Sequence, residues 1–142
     1  MANRPPFRVL YVEDEADDVL FMRRALRSVC PEVELSIAHD GEEAVQILSR
    51  HQPPPDWIVL DLKMPRRSGL EVLEWIRSHP VLKDLKVTVL SSSPEQSDMK
   101  RVEELGIDRY FVKPVEYTGL LEIVRSLCRR WGTLASPKPE GA

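Results

Sequence analysis

Cysteine is scarce in this chain of 142 residues, which holds only Cys30 and Cys128. Neither sits in a CxxC spacing or beside a histidine cluster, which argues against a metal–thiolate centre or a disulfide framework. Two buried or half-buried free thiols are expected. An excess of positive charge is also missing: Lys and Arg number 20 against 23 Asp and Glu, for a net charge of −3. The basic surface that a phosphodiester backbone requires is lacking, so DNA is not an expected partner. No apolar run approaches the roughly 20 residues that span a bilayer. The N-terminus meets Glu13, Asp14 and Glu15 before a signal-like segment is complete, and the expectation is a cytoplasmic chain that does not enter the membrane. His39, His51 and His79 share no ligand spacing and are expected at the surface.

What is present suits one packed domain. Hydrophobic residues make up 42% and charged residues 30%, enough to build a core and too apolar for wholesale disorder. Short β-branched apolar runs alternate with segments of helical period. Strands are expected at Phe7 to Val12, Val33 to Ala38, Trp57 to Leu60, Lys86 to Leu90 and Arg109 to Val112. The first helix carries Val19, Met22, Leu26 and Val29 on one face and stops before Pro31. Asp40 and Glu43 mark the start of the second, which His51 and the prolines at 53 to 55 end. Ser68-Gly69-Leu70-Glu71 reads as a capping box for the third, with Leu70, Leu73 and Ile76 on its inner face and Pro80 beyond it. Ser93-Pro94-Glu95-Gln96 reads as the start of the fourth, and Gly106 as its C′ residue. Val115 to Arg130 is the fifth, with Leu120, Ile123, Val124 and Leu127 in register.

Five strands separated by helices imply right-handed crossovers, hence an α/β, doubly wound, mostly parallel sheet covered on both faces. Ligands bind such sheets at the carboxyl ends of the strands. The residues that follow the strands are Glu13 and Asp14, Asp61, Ser91 and Lys113. Three crowded carboxylates repel unless a cation joins them, and hard oxygen ligands suit Mg²⁺, with Mn²⁺ able to substitute. A lysine and a hydroxyl beside that cation are what phosphoryl oxygens need, which makes Asp61 the natural nucleophile.

In this order and context, Glu13-Asp14, Asp61 followed by Met64-Pro65, Ser91 and Lys113-Pro114 resemble the receiver domain of two-component response regulators over about residues 7 to 130. The resemblance implies a flavodoxin-like fold with strand order 2-1-3-4-5. It implies that Asp61 accepts a phosphoryl group from a phosphohistidine on a sensor histidine kinase. Asp14 would ligate the metal directly, Glu13 through water, and the main-chain carbonyl of Lys63 would complete the shell. Lys113 would pair with the phosphoryl oxygens and be joined to Pro114 by a cis peptide bond. Ser91 and Tyr110 would form the switch pair. The first acid departs from the commonest pattern, being Glu where relatives carry Asp.

The Glu-Asp pair, the stretch Val-Leu-Ser-Ser-Ser at 89 to 93 and the tail Arg-Trp-Gly-Thr-Leu-Ala-Ser-Pro resemble the small regulators that serve phytochrome-type kinases. That subgroup implies a homodimer through the fourth helix, fifth strand and fifth helix, using Met99, Val102, Phe111 and Leu121. The expected organisation is a leader at 1–6, a receiver at 7–131 and a flexible tail at 132–142, too short for an output domain. Such a chain is a phosphoacceptor protein that catalyses only its own modification and its reversal. The competing reading is a small Mg²⁺-dependent phosphatase with Asp61 as nucleophile, but its general acid would stand where Lys63 does. Plainer roles are expected elsewhere: Asp17 and Asp18 as helix-capping acids, Trp75 and Trp131 as closures of the core or an interface pair, and Arg125, Arg129 and Arg130 as a solvated helix end.

Overall fold

The computed structural model describes residues 6–50, 53–64, 66–92 and 96–132, leaving aside the side chains of 96 and 97. The expected leader and tail, His51, Pro65 and the Ser93-Pro94-Glu95 cap fall almost wholly outside that range. The elements follow the expected alternation: β1 (Arg8–Val12), α1 (Ala16–Val29), β2 (Glu34–Ala38), α2 (Gly41–Leu48), β3 (Trp57–Leu60), α3 (Gly69–Ser78), β4 (Lys86–Ser91), α4 (Gln96–Leu105), β5 (Arg109–Val112) and α5 (Tyr117–Trp131).

The strands form one parallel sheet in the order β2-β1-β3-β4-β5. Because side chains alternate along a strand, β1 sends Leu10 and Val12 to one face and Val9 and Tyr11 to the other. The first face packs against Ala44, Val72, Leu73, Ile76 and Val102 from α2, α3 and α4. The second packs against Met22, Ala25, Leu26, Leu120, Val124 and Leu127 from α1 and α5. β3 is buried along its whole length, as its unbroken apolar run requires of a central strand. Register aligns the strand ends, with Val12 opposite both Ala38 and Leu60, Leu60 opposite Val89, and Ser91 opposite Val112. The residues that follow the strands therefore share one edge.

Local signals act largely as the sequence implies. Ser68 and Glu71 form the reciprocal capping box of α3. Asp40 caps Glu43 N–H at 2.7 Å, but Glu43 turns back to His39 N–H, so that start is a single cap. Gly106 takes a left-handed φ of 89° after α4, where its N–H bonds the Val102 carbonyl. The Arg77 guanidinium donates to the carbonyls of Leu105 and Gly106 there and to those of Lys83 and Leu85, tying the end of α4 to α3.

Two expectations are corrected. Cys30 and Cys128 are joined in a disulfide, with Cα atoms 6.6 Å apart. α1 and α5 run side by side in the same direction, Phe21 meeting Tyr117 near their starts, so their C-terminal ends lie together and bring Cys30 beside Cys128; sequence spacing carried no sign of it. Val102 is fully buried in the core, so it offers nothing to a dimer face. Trp75 and Trp131 do not pair. Trp131 stacks on Phe7 at 5.6 Å and lies near Trp57, closing the core below the sheet. Arg125, Arg129 and Arg130 are all exposed, as expected of a solvated helix end, and Arg130 also pairs with Asp108.

Candidate functional site

Asp61 stands at the carboxyl end of the central strand and is 3% exposed. Its N–H bonds the Val12 carbonyl, and the Lys63 N–H donates to its Oδ1 at 3.1 Å. Beneath it, the first residue of α3 is glycine because a Cβ at Gly69 would collide with the Asp61 carbonyl. That close approach, reinforced by the Gly69 N–H bond to the Leu62 carbonyl, fixes the acceptor's backbone.

Glu13 extends β1 by one rung, its N–H bonding the Ala38 carbonyl. Its carboxylate is wholly buried and fully engaged. Oε1 accepts from the Tyr11 hydroxyl at 3.1 Å and meets Lys113 Nζ at 2.8 Å, while Oε2 accepts from Glu15 N–H. Asp14 next to it is exposed. Oxygens of Glu13, Asp14 and Asp61 lie within 4.8 Å of one another, the spacing of ligands to one cation.

Lys113 reaches this cluster from the end of β5, its backbone N–H bonded to the Ser91 carbonyl. Its ammonium meets Glu13 and Asp18 at 2.8 Å each and Asp61 at 3.1 Å. The Lys113–Pro114 bond is trans, since no peptide bond among the described residues is cis. The X–Pro amide favours trans by about 0.5–1 kcal/mol, and Lys113 reaches all three carboxylates with it.

The charges are unbalanced. Burial pushes the Glu13 carboxyl up to about 7, with Asp61 adding to the effect and Lys113 opposing it. Burial works against the Lys113 ammonium, but the carboxylates around it outweigh that and hold its pKa above the ordinary lysine value. Burial, then Glu13, raises the Tyr11 phenol, so it stays protonated and donates. Three carboxylates, those of Glu13, Asp18 and Asp61, meet one ammonium, and Asp14 adds a fourth acid beside them. A divalent cation fits that excess, and the donors are all hard oxygens of the kind Mg²⁺ and Mn²⁺ accept.

Ser91 and Tyr110 lie close to each other near the site. Both hydroxyls are buried without a hydrogen-bond partner. Burial raises the Tyr110 phenol, and the neighbouring Ser91 hydroxyl partly offsets this although the two miss hydrogen-bond geometry. Unsatisfied buried hydroxyls at a site edge mark groups awaiting a partner.

The site thus gathers Glu13, Asp14, Asp61, Ser91 and Lys113, with Tyr110 adjoining. It also contains two residues that the sequence reading left out. Asp18, expected as a cap, pairs instead with Lys113; its position one helical turn after Asp14 was the available signal. Tyr11 lies two residues before Glu13, on the same side of the strand. Lys63 is exposed and provides no acid beside the acceptor, so the general acid of a phosphatase is missing.

The family model for the response regulator receiver domain matches residues 9–125. The chain belongs to this family. Receivers of this kind are signalling proteins and not classical enzymes. In sequence this receiver is 31% identical over 134 residues to response regulator Rcp1 of Synechocystis sp., a match that covers 91% of each chain. In structure it is similar to the phosphorylated cyanobacterial phytochrome response regulator RcpA, with a TM-score of 0.84 and 31% identity over 93% of this chain and 100% of that one. The Mn²⁺-bound form of Rcp1 gives a TM-score of 0.79 at 31% identity, covering 89% and 94%. The likeness to phytochrome response regulators that the sequence implied is therefore present.

Proposed function

We propose that Asp61 accepts a phosphoryl group from a phosphohistidine of a sensor kinase in a Mg²⁺-dependent reaction. A carboxylate oxygen forms the new bond to phosphorus as the P–N bond breaks and its electron pair stays with the imidazole. The observation that carries this reading is a buried carboxylate at the end of the central strand, 3.1 Å from Lys113 and clustered with two more carboxylates.

Asp14, Asp61 and the Lys63 carbonyl would hold the metal, with Glu13 acting through water. The ion supplies charge neutralisation at the phosphoryl oxygens. Lys113 orients the same oxygens. Ser91, whose hydroxyl lacks a partner, turns to one of them, and Tyr110 follows into the space behind. Together they bias a two-state equilibrium of the α4-β5-α5 face. Val112 of β5, 55% exposed, and half-buried Met99, Phe111 and Leu121 make that face the homodimer surface, without Val102.

The similarity to RcpA and Rcp1 supports a phytochrome-type kinase as donor and the cytoplasm, where ATP-dependent kinases work, as the setting. No helix among the described residues is long and apolar enough to cross a membrane. The functional unit is taken as residues 7–131.

The test is intact mass after incubation with acetyl phosphate and Mg²⁺, with chelator and Asp61→Asn as controls. One hydroxylamine-labile phosphoryl group that needs both Asp61 and the metal supports the reading. A chain left unmodified by acetyl phosphate and by a phosphorylated phytochrome-type kinase overturns it. Light scattering that shows only monomer at high concentration, with and without phosphorylation, overturns the dimer.

A further inference from the structure

An acid at this site that the family pattern leaves without a role is Asp18. It lies on the first turn of α1, and its Oδ2 is 2.8 Å from Lys113 Nζ, closer than the 3.1 Å contact between that ammonium and Asp61. A lysine ammonium has three protons and no acceptor. Here Asp18 and Asp61 accept hydrogen bonds from it and Glu13 sits against it as an ion pair at 2.8 Å, so carboxylates already crowd the ammonium that an incoming phosphoryl oxygen needs. One of the three contacts must give way when Asp61 is modified.

The surroundings show which one yields. Glu13 is buried and pinned by Tyr11 and by the Glu15 N–H. Asp61 is fixed by the strand and by Gly69 beneath it. The Asp18 side chain is 35% exposed on a helix surface, and its contact is with Lys113. It can turn to water at little cost, because an exposed carboxylate is well solvated and a partly exposed ion pair is weak.

We propose that Asp18 is a positioning residue that holds Lys113 in the resting state and competes with the phosphoryl group for it. This rests on the reading of Asp61 as phosphoacceptor. When an Asp61 oxygen bonds phosphorus and the donor's leaving group departs with its electron pair, the new phosphoryl oxygens draw Lys113 inward and Asp18 lets go. The same event separates the first turn of α1 from the segment at 113–116. A cavity of about 180 Å³ lies between the two, with Asp18 and Lys113 among its lining residues beside Tyr11, Phe21, Pro114 and Tyr117. Release of the ion pair frees two of the side chains that line it.

The test compares wild-type chain, Asp18→Asn and Asp18→Glu for the rate of acyl phosphate formation from acetyl phosphate and Mg²⁺, at low and high salt. Melting temperature is recorded alongside. Asp18→Asn keeps the shape but is a weaker acceptor, so it should accept the phosphoryl group about two to five times faster, the span expected for a partly exposed ion pair. The advantage should shrink at high salt as the wild-type pair is screened, and Asp18→Glu should return towards the wild-type rate. A purely structural role would shift the melting temperature and leave the rate alone. If wild type and Asp18→Asn are modified equally fast, or the variant more slowly, this inference fails alone. If the wild-type chain takes no phosphoryl group from acetyl phosphate or a kinase, the phosphoacceptor reading fails and carries this inference with it.

Discussion

Replacing Glu13 with glutamine removes the buried charge and keeps its shape. The Glu13 carboxyl has no solvent exposure and is pushed from 4.5 up to about 7, first by burial and then by Asp61, against the pull of Lys113. The folded protein therefore keeps a proton that the unfolded chain releases as pH climbs through that window. Stability must fall with rising pH between the two values and level off above the higher one. At 1.36 kcal/mol per pH unit, the loss amounts to about 3 kcal/mol. Glutamine does not titrate, so Glu13→Gln should match the wild type near pH 4.5 and exceed it by about 3 kcal/mol at pH 8. For a domain of this size that is on the order of 10 °C in melting temperature. Urea denaturation of both proteins in chelator at the two pH values measures the gap. Added Mg²⁺ should stabilise the wild type more than the variant, because the Glu13 charge that supports the ion through water is missing in glutamine. A gap that is the same at both pH values, or a wild type more stable than the variant at pH 8, would refute the buried, unbalanced charge.

Gly69→Ala drives a methyl group into the Asp61 carbonyl, and such overpacking costs about 1–3 kcal/mol. Denaturation should show the loss, and phosphorylation from acetyl phosphate should slow because the acceptor's backbone shifts. Ser91→Ala removes a buried hydroxyl that has no partner, so stability should hold or rise slightly while phosphorylation-dependent changes on the α4-β5-α5 face are lost; a large drop in stability would contradict this. Thiol titration of the denatured, unreduced chain should find no free cysteine. With the bridged positions 98 apart in sequence, reduction should cost about 4.7 kcal/mol on the chain-entropy scale, and an unchanged urea midpoint after reduction would argue against the cross-link.

Strand positions were legible because parallel strands buried on both faces leave unbroken apolar runs, of which Trp57–Leu60 is the plainest. The edge residues followed at once, since whatever succeeds such a run lies at the ligand-binding end of the sheet. Caps were readable where both partners are local, as with Ser68 and Glu71. The disulfide was not, because it depends on how α1 and α5 pack across 98 residues. Asp18 was misjudged for a related reason: a first-turn acid looks like a cap until the end of β5 brings Lys113 beside it. Tyr11 carried no signal of its own within the apolar run of β1, and only the geometry shows its hydroxyl on Glu13. Val102 was expected on a dimer face through the subgroup resemblance alone, and the structure turns it into the core.

Locating the modified residue is the most direct test of Asp61 as the phosphoacceptor. The chain is phosphorylated with acetyl phosphate and Mg²⁺ or with a phosphorylated kinase, reduced with borohydride, digested and sequenced by mass spectrometry. Borohydride converts an aspartyl phosphate to homoserine, so homoserine is expected at position 61 and at no other acid. Conversion at Glu13, Asp14 or Asp18 in place of Asp61, or a phosphoryl group that survives on a histidine or serine, would contradict it.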